Sequence, residues 1–108
     1  MRTKEEIVKN WLPRYTGVEI EDLGEYILLT NFDQYVDIFA EKHKVKVQGE
    51  ERSMPNATHE NISMINFGMG SANAATIMDL LSAVNPKAVL FLGKCGGLKR
   101  KNQLGDLI

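Results

Sequence analysis

Two glycine-rich segments are the parts of this sequence whose residue types and spacing best suit ligand chemistry. They are Gly68-Met69-Gly70-Ser71 and Gly93-Lys94-Cys95-Gly96-Gly97. Each follows an apolar run that reads as a β-strand, and ligands in open α/β sheets bind at the carboxyl ends of strands. Glycines let backbone N–H groups approach a ligand, and a helix N-terminus after the first segment favours an anion or a hydroxyl-rich sugar. The second segment adds the cation of Lys94, which suits a phosphate or a charge-separated sugar.

Neither segment matches a named nucleotide-binding motif, and each could also be a tight turn that binds no ligand. A dinucleotide fingerprint requires a third glycine where Asn73 stands, and an acidic residue at the end of the next strand, where Leu92 lies. A P-loop requires a glycine five residues before Gly93 and a serine or threonine where Cys95 stands. The sequence therefore argues against both motifs.

Cys95, His43 and His59 are the other side chains with catalytic or metal-binding potential. A cysteine nucleophile with a histidine base can be imagined, but no spacing ties these three residues together. We predict that Cys95 is a buried structural thiol, and one cysteine with two scattered histidines does not indicate zinc. We therefore expect no metal ion and no organic cofactor.

The spacing of apolar residues predicts the helices and strands that must position the two glycine-rich segments. A capping box beginning at Thr3 starts a first helix, which Pro13 should stop. The apolar face of this helix comprises Ile7, Val8, Trp11 and Leu12. The short apolar run at residues 26–30 predicts a buried strand.

The middle of the chain predicts a second helix followed by two β-like stretches. Asn31 or Asp33 caps the helix, which ends near His43, and the β-like stretches cover residues 44–47 and 52–58. The apolar face of the helix comprises Tyr35, Val36, Phe39 and Ala40.

The last third predicts a strand, a helix and another strand. A turn at residues 60–61 leads to a strand at 62–67, and at Gly68 the hydrophobic period changes from two to about 3.6. The helix that follows carries an apolar stripe of Ala74, Ile77, Met78 and Leu81. It should stop before Pro86, and the run 88–92 is apolar on both faces, which is typical of a central strand covered by helices.

This alternation of strands and helices predicts an α/β fold. A chain of 108 residues has room for one domain with a modest core. A further apolar strand begins at Gly105 and has no visible end. We therefore expect residues 1–108 to be the amino-terminal part of a single, truncated domain.

Composition restricts the classes of partner. The chain is 44% hydrophobic and 25% charged, and its net charge of −1 provides no global field for nucleic acid or an acidic membrane. The basic run Lys99-Arg100-Lys101 is expected to be a solvated loop. No signal peptide or membrane-spanning run is visible, and a lone cysteine fits a reducing cytosol. We expect a cytoplasmic protein that binds neither nucleic acid nor a membrane.

Four groups of residues, taken together, resemble the nucleoside phosphorylase and nucleosidase superfamily, and within it the branch that cleaves AMP. They are Arg14-Tyr15-Thr16-Gly17; Leu29-Thr30-Asn31-Phe32 with Tyr35-Val36-Asp37; Asn66-Phe67-Gly68-Met69-Gly70-Ser71-Ala72-Asn73-Ala74; and Gly93-Lys94-Cys95-Gly96-Gly97-Leu98 followed by Gly105-Asp106. They occur in family order and cover nearly the whole chain. The resemblance implies a mixed, twisted sheet flanked by helices and a homo-oligomer, commonly a hexamer in this branch.

The resemblance also implies roles for both glycine-rich segments. The first is similar to the turn that lies against the ribose, with Met69 matching a methionine that packs on the sugar. The second is similar to the loop that holds phosphate, or the region of the attacking nucleophile, beneath the sugar. The implied substrate-binding residues are Asn31, Tyr35, Gly68, Met69, Gly70, Ser71, Gly93, Lys94, Cys95, Gly96 and Gly97.

Three departures from the family pattern bear on the reaction. Nucleoside phosphorylases usually carry a glycine, an arginine and a serine, which grip inorganic phosphate, where Asn31, Tyr35 and Lys94 stand. Losing the arginine argues that water replaces phosphate as the nucleophile. The resemblance therefore implies hydrolysis of the N-glycosidic bond of AMP to adenine and ribose 5-phosphate.

The family's catalytic acid and its ribose-binding glutamate lie beyond residue 108, so we expect the 108-residue chain by itself to be inactive. Two other functions stay open on the sequence. One is a phosphorylase or nucleosidase acting on a free purine nucleoside, and the other is a nucleotide-binding remnant without catalysis.

Overall fold

The computed structural model describes residues 3–94, 100, 101, 103–105 and 107. The helices are α1 (Lys4–Thr16), α2 (Asp33–His43) and α3 (Ser71–Val84), with a short 3-10 helix at Ile20–Asp22. The strands are β1 (Tyr26–Thr30), β2 (Asn56–His59), β3 (Ile62–Asn66) and β4 (Ala88–Leu92). This is a mixed sheet flanked by helices, so the predicted α/β fold class is confirmed.

The order of strands in the sheet is β2-β3-β1-β4. Strand β1 runs parallel to both β3 and β4, whereas β2 runs antiparallel to β3. In the register of these pairs, Thr30 at the end of β1 lies opposite both Asn66 and Leu92. The three parallel strands therefore end at one level, along what we call the carboxyl edge of the sheet.

The two faces of the sheet bury separate apolar clusters. One face packs on α3, and its cluster comprises Ile27, Leu29, Met54, Ile65, Phe67, Ile77 and Leu81. The other face packs on α2, and its cluster comprises Val36, Phe39, Ala40, Ala57 and Met64. Helix α1 lies against α3 through a third cluster, Val8, Leu12 and Leu80. The alternation of side chains along each strand supplies both faces at once.

The first helix begins as predicted but ends later than predicted. Thr3 caps it, because its side chain accepts a hydrogen bond from the N–H of Glu6. Pro13 lies inside the helix, which continues to Thr16 and ends at Gly17, in the left-handed conformation. Proline removes one N–H donor, but its own carbonyl still accepts the N–H of Gly17 at 2.8 Å. The free energy gained by burying the last turn of α1 therefore outweighs the cost of the N–H donor that Pro13 lacks.

The stretch at residues 44–47 forms no strand, and within 52–58 only the part that belongs to β2 does. Val45 and Val47 are half-buried against the α2 cluster, while Lys44 and Lys46 are exposed. Apolar residues therefore alternate here because Val45 and Val47 pack against the α2 cluster, and not because the stretch pairs with another strand. Directly after this stretch, Gln48 forms an isolated β-bridge with Asn56.

The buried face of α3 is shifted from the predicted stripe. Ile77 and Leu81 are buried as expected, but Met78 is half-exposed and Leu80 is buried instead. The reason is that α3 packs against α1 as well as against the sheet, so the buried surface extends round the helix toward Leu80. The helix does end before Pro86, at Val84.

Strand β4 is present at the predicted residues but is one of the two outer strands of the described sheet, not a central one. Leu90 and Phe91 are 58% and 55% exposed, on opposite faces. Apolar side chains on both faces require covering layers on both sides, and the described residues provide these only for β1 and β3. The strand expected from Gly105 includes residues 106 and 108, which lie outside the described part.

Among the described residues, no helix combines the length and the apolar character that crossing a membrane requires.

Candidate functional site

The carboxyl edge of the sheet brings both glycine-rich segments to one place. Gly68 follows β3, Gly93 follows β4, and Asn31 follows β1, which lies between them. Neighbouring strands are about 4.8 Å apart, so the ends of β3 and β4 are about 10 Å apart across β1. A sugar phosphate of that dimension can therefore contact all three strand ends.

The turn after β3 depends on glycine for its backbone conformation. Gly68 and Gly70 have φ values of +88° and +93°, which side chains with a Cβ atom rarely adopt. A Cβ on Gly68 would also lie only 2.7 Å from Nδ2 of Asn73, whose amide covers the turn. Met69, between the two glycines, is 78% exposed. An apolar side chain presented to solvent at a ligand-facing turn is available to pack on a sugar.

Helix α3 adds favourable electrostatics to this turn. It begins at Ser71, directly after Gly70, which provides no side-chain cap. The first N–H groups of an α-helix have no intrahelical partner, and the helix dipole places a partial positive charge there. The exposed Ser71 hydroxyl lies at the same end. This end of α3 suits hydroxyl or anionic groups of a ligand.

At the end of β1, Asn31 offers an unused hydrogen-bond acceptor. Its side-chain oxygen Oδ1 is buried and has no hydrogen-bond donor among the described residues. The backbone around it is held in place, since the N–H of Phe32 donates to Oγ1 of Thr30 at 3.2 Å. The ring of Phe32 then packs edge-on against Tyr35, with ring centroids 5.4 Å apart.

At the end of β4, Lys94 is exposed and turns toward β1. Its ammonium Nζ lies 4.8 Å from the centroid of the Phe32 ring, within the range of a cation–π contact. Lys94 therefore places a cation at the carboxyl edge, over the ring of Phe32, the residue after Asn31. The remaining predicted residues of this segment, Cys95, Gly96 and Gly97, lie outside the described residues.

Two residues at this edge were not singled out by their chemistry in the sequence. Nδ2 of Asn66, the last residue of β3, donates to Oδ1 of Asp33, the first residue of α2. Oδ1 of Asn66 accepts the N–H of Gly68 at 2.9 Å. Asn66 is only 8% exposed, and a polar residue ending an otherwise apolar buried strand was the available signal.

Beside the carboxyl edge, an apolar groove of about 570 Å³ runs between α2 and the sheet face formed by β3, β1 and β4. Tyr35, Leu92 and Gly93 form the end of the groove that reaches the edge. Leu28, Met64, Ile38 and Phe39 line its floor and wall. Tyr35, whose ring contacts Phe32, therefore lines an apolar groove next to the candidate site.

Comparison with known proteins now identifies the family. Residues 19–108 match the family model described as the phosphorylase superfamily. The chain belongs to the phosphorylase superfamily. The resemblance carried by the four groups of residues is thereby confirmed.

One solved structure and two curated sequences show which members of the superfamily this chain is similar to. A crystal structure of AMP nucleosidase from Bacteroides thetaiotaomicron VPI-5482 is 65% identical, with a TM-score of 0.85, over 90% of this chain and 42% of that one. The AMP nucleosidases of Escherichia coli strains K12 and O157:H7 are each 26% identical over 134 residues, covering 90% of this chain and 28% of theirs. The chain thus spans less than half the length of each of these proteins.

In this phosphorylase-superfamily chain, the two histidines lie away from the candidate site. His59 ends β2 and pairs with Ile62, the first residue of β3, so it lies at the edge opposite Gly68. The ring of His43 stacks on that of His59, with centroids 4.4 Å apart. The described residues thus bring no histidine to the carboxyl edge, and they hold no group of three metal-ligating side chains.

Proposed function

We propose that this chain is part of an enzyme that hydrolyses the N-glycosidic bond of AMP, giving adenine and ribose 5-phosphate. The observation that carries the proposal is the convergence of Asn31, the Gly68 turn and Lys94 on one edge of the sheet. Relatives at 65% and 26% identity that are named AMP nucleosidase support the choice of substrate.

In the proposed reaction, the bond between the purine nitrogen and the anomeric carbon breaks before water attacks that carbon. The sugar gains positive charge and the purine gains negative charge, which a protonating acid and prearranged dipoles stabilise. Water supplies the new C–O bond and loses a proton, while the purine gains one. Within this chain, Met69 would pack on the ribose, and the N–H groups at the start of α3 would contact its polar groups.

Lys94 is the residue we propose to contact the phosphate or to position the attacking water. Replacing it with alanine in the complete enzyme should lower kcat/KM for AMP at least about tenfold, which corresponds to about 1.4 kcal/mol. The matched control is Lys87→Ala, because Lys87 precedes the same strand at its opposite end and pairs with Glu25. Steady-state kinetics of both variants measure the effect. An unchanged kcat/KM for Lys94→Ala would reject this role.

Water is the proposed nucleophile because Tyr35 stands where nucleoside phosphorylases carry the arginine that grips inorganic phosphate. Adenine release from AMP should therefore proceed equally well with and without added phosphate, and the sugar product should be ribose 5-phosphate in both cases. Chromatography of the products makes the measurement. A rate that requires phosphate, or faster cleavage of adenosine than of AMP, would favour a phosphorylase or a nucleosidase acting on free nucleosides.

We also infer that residues 1–108 form the amino-terminal part of a single phosphorylase-like domain in a cytoplasmic homo-oligomer, with a hexamer as the expected assembly. The match of one family model to residues 19–108 supports a single phosphorylase-like domain, and the 42% coverage of the crystallised relative supports its being part of a longer protein. The location follows from the proposed nucleotide substrate, which belongs to purine catabolism and salvage. Sedimentation of the complete protein tests the assembly.

A further inference from the structure

We propose that Asp33 and Asn66 form a polar clamp that sets the conformation of the Gly68 turn, so that both are positioning residues for the substrate. The inference rests on the proposed function for its effect on catalysis, and on hydrogen bonds within the chain for its geometry.

Both polar atoms of the Asn66 side-chain amide form hydrogen bonds. Nδ2 donates to the carboxylate of Asp33, and Oδ1 accepts the N–H of Gly68 at 2.9 Å. The main-chain N–H of Asn66 donates to the carbonyl of Pro55 at 2.9 Å, which fixes the backbone from which the amide projects. The clamp therefore joins β3, α2 and the turn through a single buried side chain.

The carboxylate of Asp33 determines which way the amide of Asn66 faces. An ionised carboxylate only accepts hydrogen bonds, so the NH₂ end of the amide must point toward it. The carbonyl end is then left for the N–H of Gly68. Without Asp33, a flipped amide would bring two donors together and release the turn. As the first residue of α2, Asp33 also lies at the helix end that favours negative charge.

The clamp limits which backbone N–H groups of the turn can bind substrate. Because the N–H of Gly68 is already donated to Asn66, Gly68 serves the site through its conformation rather than as a donor. Gly68 has a φ of +88°, and the next residue, Met69, is 78% exposed at the edge where the ribose is proposed to lie. Asn66 thus acts on the substrate through Met69.

An exchange of the two side chains tests the clamp in the complete enzyme. Asn66→Asp places two carboxylates in contact, and we expect kcat/KM for AMP to fall at least about tenfold. In the double variant Asp33→Asn/Asn66→Asp, the new amide donates to the new carboxylate, which still accepts the N–H of Gly68. We expect the double variant to recover to within about threefold of the unmodified enzyme. Because asparagine and aspartate have nearly the same volume, a residue needed only for its volume would show no loss in Asn66→Asp in the first place.

A second measurement does not depend on catalysis. Hydrogen–deuterium exchange of the peptide containing Gly68 should be slow in the unmodified protein and in the double variant, and fast in Asn66→Asp. The clamp is overturned if Asn66→Asp matches the unmodified protein in both measurements, or if the double variant is as impaired or as unfolded as the single one. If the unmodified protein leaves AMP intact, the proposed function fails while the exchange pattern still decides the clamp.

Discussion

Replacing Gly49 by alanine should lower the free energy of unfolding by about 3 kcal/mol or more. Gly49 has a φ of +68°, where a side chain costs about 1–3 kcal/mol. A Cβ there would also lie 2.1 Å from the carbonyl oxygen of Thr16, so the backbone must move. That oxygen accepts the amide of the buried Asn56 at 2.8 Å, and moving it disturbs this bond as well.

Gly70→Ala is the matched control for this prediction. Gly70 has a φ of +93°, but a Cβ at this position would meet no atom within 4 Å. The control therefore carries the backbone strain without the clash, and its loss of stability should be clearly smaller. Urea unfolding of the purified chain, followed by circular dichroism, compares the two variants. Equal losses would mean that the Gly49–Thr16 contact relaxes at no cost.

The second large effect concerns catalysis by the 108-residue chain alone. We expect it to release adenine from AMP at least about 100-fold more slowly than the complete enzyme, because general acid catalysis alone contributes about that much or more. The superfamily's acid and ribose-binding glutamate are expected after residue 108. At the described carboxyl edge, the carboxylate of Asp33 already accepts the amide of Asn66.

The assay needs proof that the chain is folded. Circular dichroism should show the helices and strands described above, and calorimetry with AMP tests binding separately from turnover. Adenine release at a rate near that of the complete enzyme would show that the acid lies within these residues. Binding without turnover in the complete protein as well would favour the non-catalytic alternative.

The pattern of residues predicted local features well because their causes are local. Thr3 caps α1, since a threonine hydroxyl reaches the N–H of Glu6, three residues later, wherever the helix packs. The turn after β3 was predicted because only glycine readily adopts the positive φ found at Gly68 and Gly70. Where packing competed with a local rule, as at Pro13, the prediction was wrong.

The sequence by itself determined the three helices, the strands β1, β3 and β4 and the turn that needs glycine after β3, because hydrophobic period and backbone sterics act within a few residues. The alternating stretch at residues 44–47 is the exception, since its apolar side chains pack on the α2 cluster and form no strand. Only the tertiary structure decided that the ends of β1, β3 and β4 share one edge, since strand order depends on packing across the whole chain. The same holds for the bond between Asn66 and Asp33, which are 33 positions apart. This hydrogen bond forms only when parallel pairing aligns the ends of β1 and β3. That alignment cannot be predicted from a local sequence pattern.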